Sequence, residues 1–382
     1  MAMTRDPRTA VVVAARRTPI GSAHHALRGE TVDALAAAAL AAVVADLPAG
    51  AVVDEVVLGN CLGPGGDLAR VAALRAGLGV EVPALTVDLQ CGSGLGAIVA
   101  AADAVRAGRC DIVLAGGAES ASTAPTRVWP DGTPYARAPF APPGHPDPDM
   151  GAAADELARR MGIMRERADA YAARSHARAW AAQQAGVFDA EIVETGGVLR
   201  DERVRAGLTV DVLGRLGPTF TADGTVTAGN ATGVNDGAAV VAVVSERVRE
   251  RWGLPGLAIT EAAQRGVDPA LPGLGPVAAV GALAAFTGDD GRVDWTAVDR
   301  VEVNEAFAAQ VLACCDALGL PEERVCTDGG ALALGHPWGA SGAVLVVRLF
   351  TALVRQGRGR TGLATIAVGG GQGVALAVER VG

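Results

Sequence analysis

Apolar positions along the chain fall into runs of two lengths. Short runs at 10–15 and 52–58 have the length of β-strands, and the longer Ala- and Leu-rich stretch at 32–47 has the length of a helix. Their alternation predicts α/β layering. The second half of the chain then repeats the first at a displacement of 245–248 residues. The run 53–60 reappears at 298–305, the opening strand around Val12 reappears at 257–259, and the turn Gly92-Ser93-Gly94 reappears as Ala340-Ser341-Gly342, each of these turns leading into an apolar helix. After each such helix comes a buried-type strand ending in glycines, at 111–117 and 363–371. A fixed internal period of this kind is the mark of a duplication. The expected organisation is one half formed by 1–119 and 225–250, a second half formed by 251–382, and an insertion, 120–224, that the second half lacks. Within the insertion the spacing predicts one helix from 155 to 184, with acidic residues near its start and Arg174 and Arg178 toward its end, as the helix dipole favours.

Composition narrows the chemistry. The 382 residues include no lysine, so all 33 positive charges are arginine, and Schiff-base, phosphate-loop and kinase-type lysines are excluded. A net charge of −9 without a basic block argues against a nucleic-acid partner. No membrane-spanning run or cleavable leader is read, and the expected location is the cytoplasm. Six cysteines without a C-x-x-C pair, and five histidines at no ligand spacing, predict free thiols and no metal site.

Two residues stand out. Cys91 lies between an extended stretch, 84–89, and a helix-length stretch, 95–105. At such a strand-to-helix turn, free N–H groups and the helix dipole are expected to lower a thiol pKa. His336 precedes the matching helix of the other half, so the duplication brings the two together as a thiol and its base. Asn304 ends the strand at 298–303, where a lone asparagine is ordinarily a turn or capping residue.

With these motifs in order, the chain resembles the thiolase family over essentially its whole length. The resemblance is carried by Cys91-Gly92-Ser93-Gly94, Ala115-Gly116-Gly117-Ala118-Glu119-Ser120, Thr227-Ala228-Gly229-Asn230, Asn304-Glu305-Ala306-Phe307, Gly335-His336-Pro337 and Gly369-Gly370-Gly371. It implies a five-layered α-β-α-β-α sandwich of two duplicated βαβαβαββ-type halves, covered by a loop domain, in homodimers or homotetramers. It implies an acyl thioester on Cys91, activation by His336, which also helps stabilise the enolate oxygen, a water oriented by Asn304 in that same oxyanion hole, and a second hole for the thioester made by the N–H groups of Cys91 and Gly369. Met150, Glu261 and Phe307 become substrate-binding candidates, and Phe140, Trp129 and His145 further candidates for the pocket. The substrate is a coenzyme A or carrier-protein thioester, with no bound cofactor or metal.

One position departs from the pattern. Where the family carries a second cysteine that moves the α-carbon proton, this chain has Ala367, whose methyl cannot accept a proton. The sequence leaves four readings open. They are a thiolase whose proton passes through His336 or another group, a specialised acyltransferase or decarboxylative condensing enzyme, a non-catalytic partner subunit, and a thiolase inactivated by an introduced substitution at position 367. Retention of Cys91, His336, Asn304 and Gly369 favours an enzyme.

Overall fold

The computed structural model describes residues 5–288 and 291–382. The duplication is written into nine strands of its main sheet, which a tenth, the two-residue Gly21–Ser22, flanks. The first half supplies β1 (Ala10–Arg17), β2 (Glu55–Gly59), β3 (Ala84–Val87), β4 (Ile112–Ser120) and β5 (Asn235–Ser245). The second supplies β6 (Gly256–Gly266), β7 (Arg300–Val303), β8 (Thr361–Val368) and β9 (Gln372–Val381). Across the first half the order is β3-β2-β4-β5-β1, and across the second it is β6-β9-β8-β7. Matching β1 with β6, β2 with β7, β4 with β8 and β5 with β9 makes the two orders identical. Even the edge strand β3 has a remnant counterpart, a parallel bridge from Val301 to Val325. The half-sheets join where Val11 and Val12 of β1 pair with Ala258 and Leu257 of β6.

Alternate residues along each strand face different layers, as the period of two requires. On β5, Ala239, Val241 and Val243 face an inner core that they share with the corresponding face of the second half, while Val240, Ala242 and Val244 face an outer core. The inner core is filled by α3 (Ser93–Arg106) and, after α4 to α7 below, by α8 (Trp338–Phe350). The outer layers are α1 (Val32–Ala45) and α2 (Leu68–Arg75) on one side, and α6 (Gly275–Val280) and α7 (Ala308–Leu318) on the other. Strands covered on both faces read as unbroken apolar runs, which is why the sequence pattern exposed them. The five expected layers are present. The stretch from Trp338 to Arg355 is long and apolar enough to cross a membrane, yet it is mostly buried as the central helix of this core.

The central helices meet through a symmetric pair of glycines. A Cβ on Gly94 would stand 2.8 Å from the Gly339 carbonyl oxygen, and one on Gly342 would stand 2.4 Å from the Leu95 nitrogen. Side chains there would push apart the two helix starts, and with them the loops that precede each helix.

In the insertion, the single helix expected over 155–184 is two: α4 (Met150–Met161) and α5 (Arg165–Gln184). Gly162 takes a left-handed conformation at φ 64° and ends α4, a C-terminal stop that apolar spacing does not reveal. The return leg of the insertion is clamped by buried charge. Arg17 of β1 holds Glu191 and Asp201, and Arg348 of α8 holds Glu191 from the other side.

A second buried carboxyl gives a pH signature. Glu302 on β7 is 4% exposed, and burial raises its pKa to about 8, with Arg348 nearby pulling the other way. A carboxyl whose pKa is raised by folding stabilises the fold fully below its unfolded value. That contribution is lost as pH rises through the folded value. Thermal stability should therefore fall between pH 5 and pH 8, and Glu302→Gln should flatten the decline. Parallel curves for the two proteins in a pH series of melts would contradict this.

Candidate active site

Each half contributes one reactive residue from the loop just before its central helix. On the first side, Cys91 follows Gln90, whose left-handed φ of 47° turns the chain sharply. Ser93 locks that turn: its hydroxyl accepts from the Leu89 N–H at 2.8 Å and donates to the Gln90 carbonyl at 2.6 Å. The Cys61 thiol donates to the same carbonyl at 3.1 Å. On the second side, Gly335 at φ 116° precedes His336, whose main-chain N–H donates to Asn235 Oδ1 at 2.9 Å.

The imidazole has a defined orientation. Its Nδ1 lies 2.6 Å from Ser341 Oγ, and that hydroxyl donates to the Pro337 carbonyl at 2.9 Å. With the serine proton committed there, Nδ1 must carry the hydrogen, leaving the lone pair on Nε2. The Asn304 side-chain nitrogen stands 3.5 Å from Nε2.

Cys91 and His336 both line one cavity of about 400 Å³. Its walls are largely apolar, with Met150, Leu157, Phe220 and Phe307 among them. Of the candidates from sequence, Met150, Phe307, Gly369, Phe140 and Ala367 line it as well. Gly369 lies in the turn between β8 and β9, and its main-chain N–H, with that of Cys91, hydrogen-bonds toward the Cys91 sulfur. Phe140 from the insertion packs over this glycine, so closely that a Cβ on Gly369 would meet the ring at 2.7 Å.

Two expectations need correction. The Cys91 pKa is not lowered. Burial pushes it up to about 12, and the two N–H groups only partly offset that, against further increases from Glu119 and Asp88. Desolvation of the thiolate outweighs the helix start. Glu261 does not line the cavity: its carboxylate accepts from the Ala285 N–H at 2.7 Å, so it holds the loop after α6 instead of touching substrate. Asn304 is buried with its side-chain nitrogen beside His336 Nε2, and among the described residues it is not part of the cavity wall.

Trp129 stacks on Tyr135 with ring centres 4.3 Å apart, and neither Trp129 nor His145 reaches the wall. Missed from sequence were Cys61, Arg127 and Phe220, which do. Phe220 meets Phe307 edge-on, with ring centres 6.0 Å apart. Nothing local in the sequence marks these residues: the folding of the insertion over the two halves brings in Arg127 and Phe220, while Cys61 reaches the wall from the loop after β2. The same burial that raises the thiol lowers the His336 pKa to about 3. The resting pair is thus a neutral thiol and a neutral imidazole, and among the described residues no hydrogen bond joins them.

The chain is similar to known proteins over nearly its whole length. Residues 10–247 match the family model of the thiolase N-terminal domain and residues 255–380 that of the thiolase C-terminal domain. An acetyl-CoA acetyltransferase of Pseudomonas aeruginosa is 43% identical over 97% of this chain and 99% of its own length. A probable acetyl-CoA acetyltransferase of Escherichia coli is 42% identical over 97% of this chain and 98% of its own. Among solved structures, the Bacillus anthracis acetyl-CoA acetyltransferase superposes with a TM-score of 0.89 at 37% identity, covering 98% of this chain and 99% of the other. Human mitochondrial 3-ketoacyl-CoA thiolase in complex with CoA superposes with a TM-score of 0.87 at 35% identity, over 98% and 99%.

Proposed function

The chain belongs to the thiolase family, and from that premise we propose that it interconverts a 3-ketoacyl-CoA plus CoA with two shorter acyl-CoAs, carrying the acyl group on Cys91. It is a thiolase-type acyltransferase. One observation carries the assignment of roles: a thiol, two main-chain N–H donors and a basic imidazole nitrogen converge on one apolar cavity. A donor aimed at the oxyanion of an acyl-transfer intermediate is worth on the order of 3 kcal/mol. His336 takes the Cys91 proton as sulfur attacks the thioester carbonyl, and the N–H groups of Cys91 and Gly369 hold the developing charge. The high thiol pKa means that the nucleophile is made during attack, not stored as thiolate.

The direct test is thiolysis. Acetoacetyl-CoA plus CoA should give acetyl-CoA at a rate that His336→Ala lowers by about 100-fold or more; turnover at the uncatalysed rate by the unaltered protein would sink the assignment. Running the same assay with a carrier-bound ketoacyl group distinguishes a carrier-protein donor from CoA.

The location and assembly belong to the same proposal. We take the protein to be a cytoplasmic homo-oligomer. The edge strand β3 and the adjoining α2 expose Val71, Leu74, Val80 and Leu85, which are 43–79% accessible, an apolar sheet edge of the kind that native proteins cover. All six cysteines are unpaired, as reducing surroundings would leave them.

A further inference from the structure

The Claisen step requires a proton to leave the α-carbon of one acyl thioester, and position 367 offers only a methyl on the cavity wall. Among the described residues the ionisable groups of that wall are Cys61, Asp88, Cys91, Arg127, Arg137, Asp149 and His336. The arginines have no lone pair to offer. Asp149 and Asp88 are exposed to water and each is held to its own loop, Asp149 by the Gly151 N–H and Asp88 by the Gln90 N–H, whereas His336 is buried at the cavity. Cys61 spends its hydrogen on the Gln90 carbonyl, and burial holds it as a thiol. Cys91 itself is acylated when the α-proton leaves. That leaves the Nε2 lone pair of His336.

We propose that His336 Nε2 is the single base of both half-reactions, taking the α-carbon proton as well as the thiol proton. This rests on the thiolase reading above. In condensation, Nε2 takes the α-proton, and the C–H electron pair attacks the carbonyl carbon of the acyl group on Cys91. The new C–C bond forms, the C–S bond to Cys91 breaks, and the departing thiolate recovers the proton from Nε2. In the cleavage direction, Nε2 takes the Cys91 proton, sulfur attacks the 3-keto carbon, the C–C bond breaks, and the carbanion collects the proton from Nε2. One proton enters and one leaves in each passage, so no second base and no co-reactant is needed. Ser341 fixes which nitrogen bears the lone pair. Burial keeps the resting ring neutral, so the Nε2 lone pair is unprotonated before substrate arrives, and the charge that the ring gains with the proton is offset by the enolate formed beside it.

Exchange of the α-hydrogens of acetyl-CoA in heavy water, read by mass spectrometry, isolates the step. The background is Cys91→Ala, which cannot be acylated but retains His336. The Cys91→Ala protein should label acetyl-CoA, and Cys91→Ala/His336→Ala should do so at least about 100-fold more slowly, with melting curves confirming that both are folded. Equal labelling by the two variants overturns the proposal. So does absence of labelling by Cys91→Ala when the unaltered enzyme performs thiolysis. Labelling without thiolysis in the unaltered enzyme would instead reject the thiolase reading while leaving the base in place.

Discussion

Cys91→Ala will take up no acyl group and will lose thiolysis by about 10⁴-fold or more, since removing a nucleophile that works in concert with its base eliminates nearly all of their joint contribution. Intact-protein mass spectrometry after exposure to acyl-CoAs provides the measurement. The unaltered protein should gain the mass of one acyl group, and the variant none. Because the removed sulfur faces the cavity and not the packed core, folding stability should change by less than about 1 kcal/mol. An adduct of equal yield on the variant would transfer the nucleophile to another thiol, with Cys61 the first to examine.

The second large effect concerns folding. Glu191→Gln should destabilise the protein by about 3–5 kcal/mol, the usual cost of breaking a buried ion pair from one side. Glu191 is fully buried and accepts from Arg17 Nε at 2.9 Å, from Arg348 Nη1 at 2.5 Å and from Thr351 Oγ1 at 2.7 Å. An amide of the same shape removes the negative charge shared by two buried guanidinium groups, leaving Arg17 to Asp201 and Arg348 to Asp328, and turns an NH2 toward groups that can only donate to it. Burial alone would raise the carboxyl's pKa, but Arg348 and Arg17 reverse that and lower it. Its stabilisation is therefore present above the usual glutamate range and lost as acid carries the pH down through the folded value. Equilibrium unfolding of the two proteins at pH 7 decides the matter, and a difference below about 1 kcal/mol would show that the network is compensated elsewhere.

Much of the fold was legible because the duplication made each half a control for the other. Strands 10–15 and 257–259 were found by their matching offsets, and the structure pairs them side by side at the joint of the half-sheets. Cys91 and His336 were legible for the same reason, since each sits before a central helix that repeats. Illegible features were those decided by packing across long distances. Helix spacing could not locate the break at Gly162, because the residues on both sides keep the same apolar rhythm. The pKa of Cys91 was misjudged because the sequence shows the helix start but not the amount of water removed. Glu261 has a sequence position near the site, yet its carboxylate is turned to the Ala285 N–H.

The position of β1 in the sheet has a consequence for how the chain is made. Residues 10–17 are hydrogen-bonded on one side to β5, residues 235–245, and on the other to β6, residues 256–266. At a synthesis rate of about 5–20 residues per second, the first strand leaves the ribosome roughly ten to fifty seconds before either neighbour exists. Throughout that interval, Val11, Val12 and Val13 are an apolar segment with two unpaired edges, open to chaperones and to the same segment of a neighbouring nascent chain. The first half thus cannot close until residue 245 has been made, and a chain released before residue 235 would leave its first strand unsheltered.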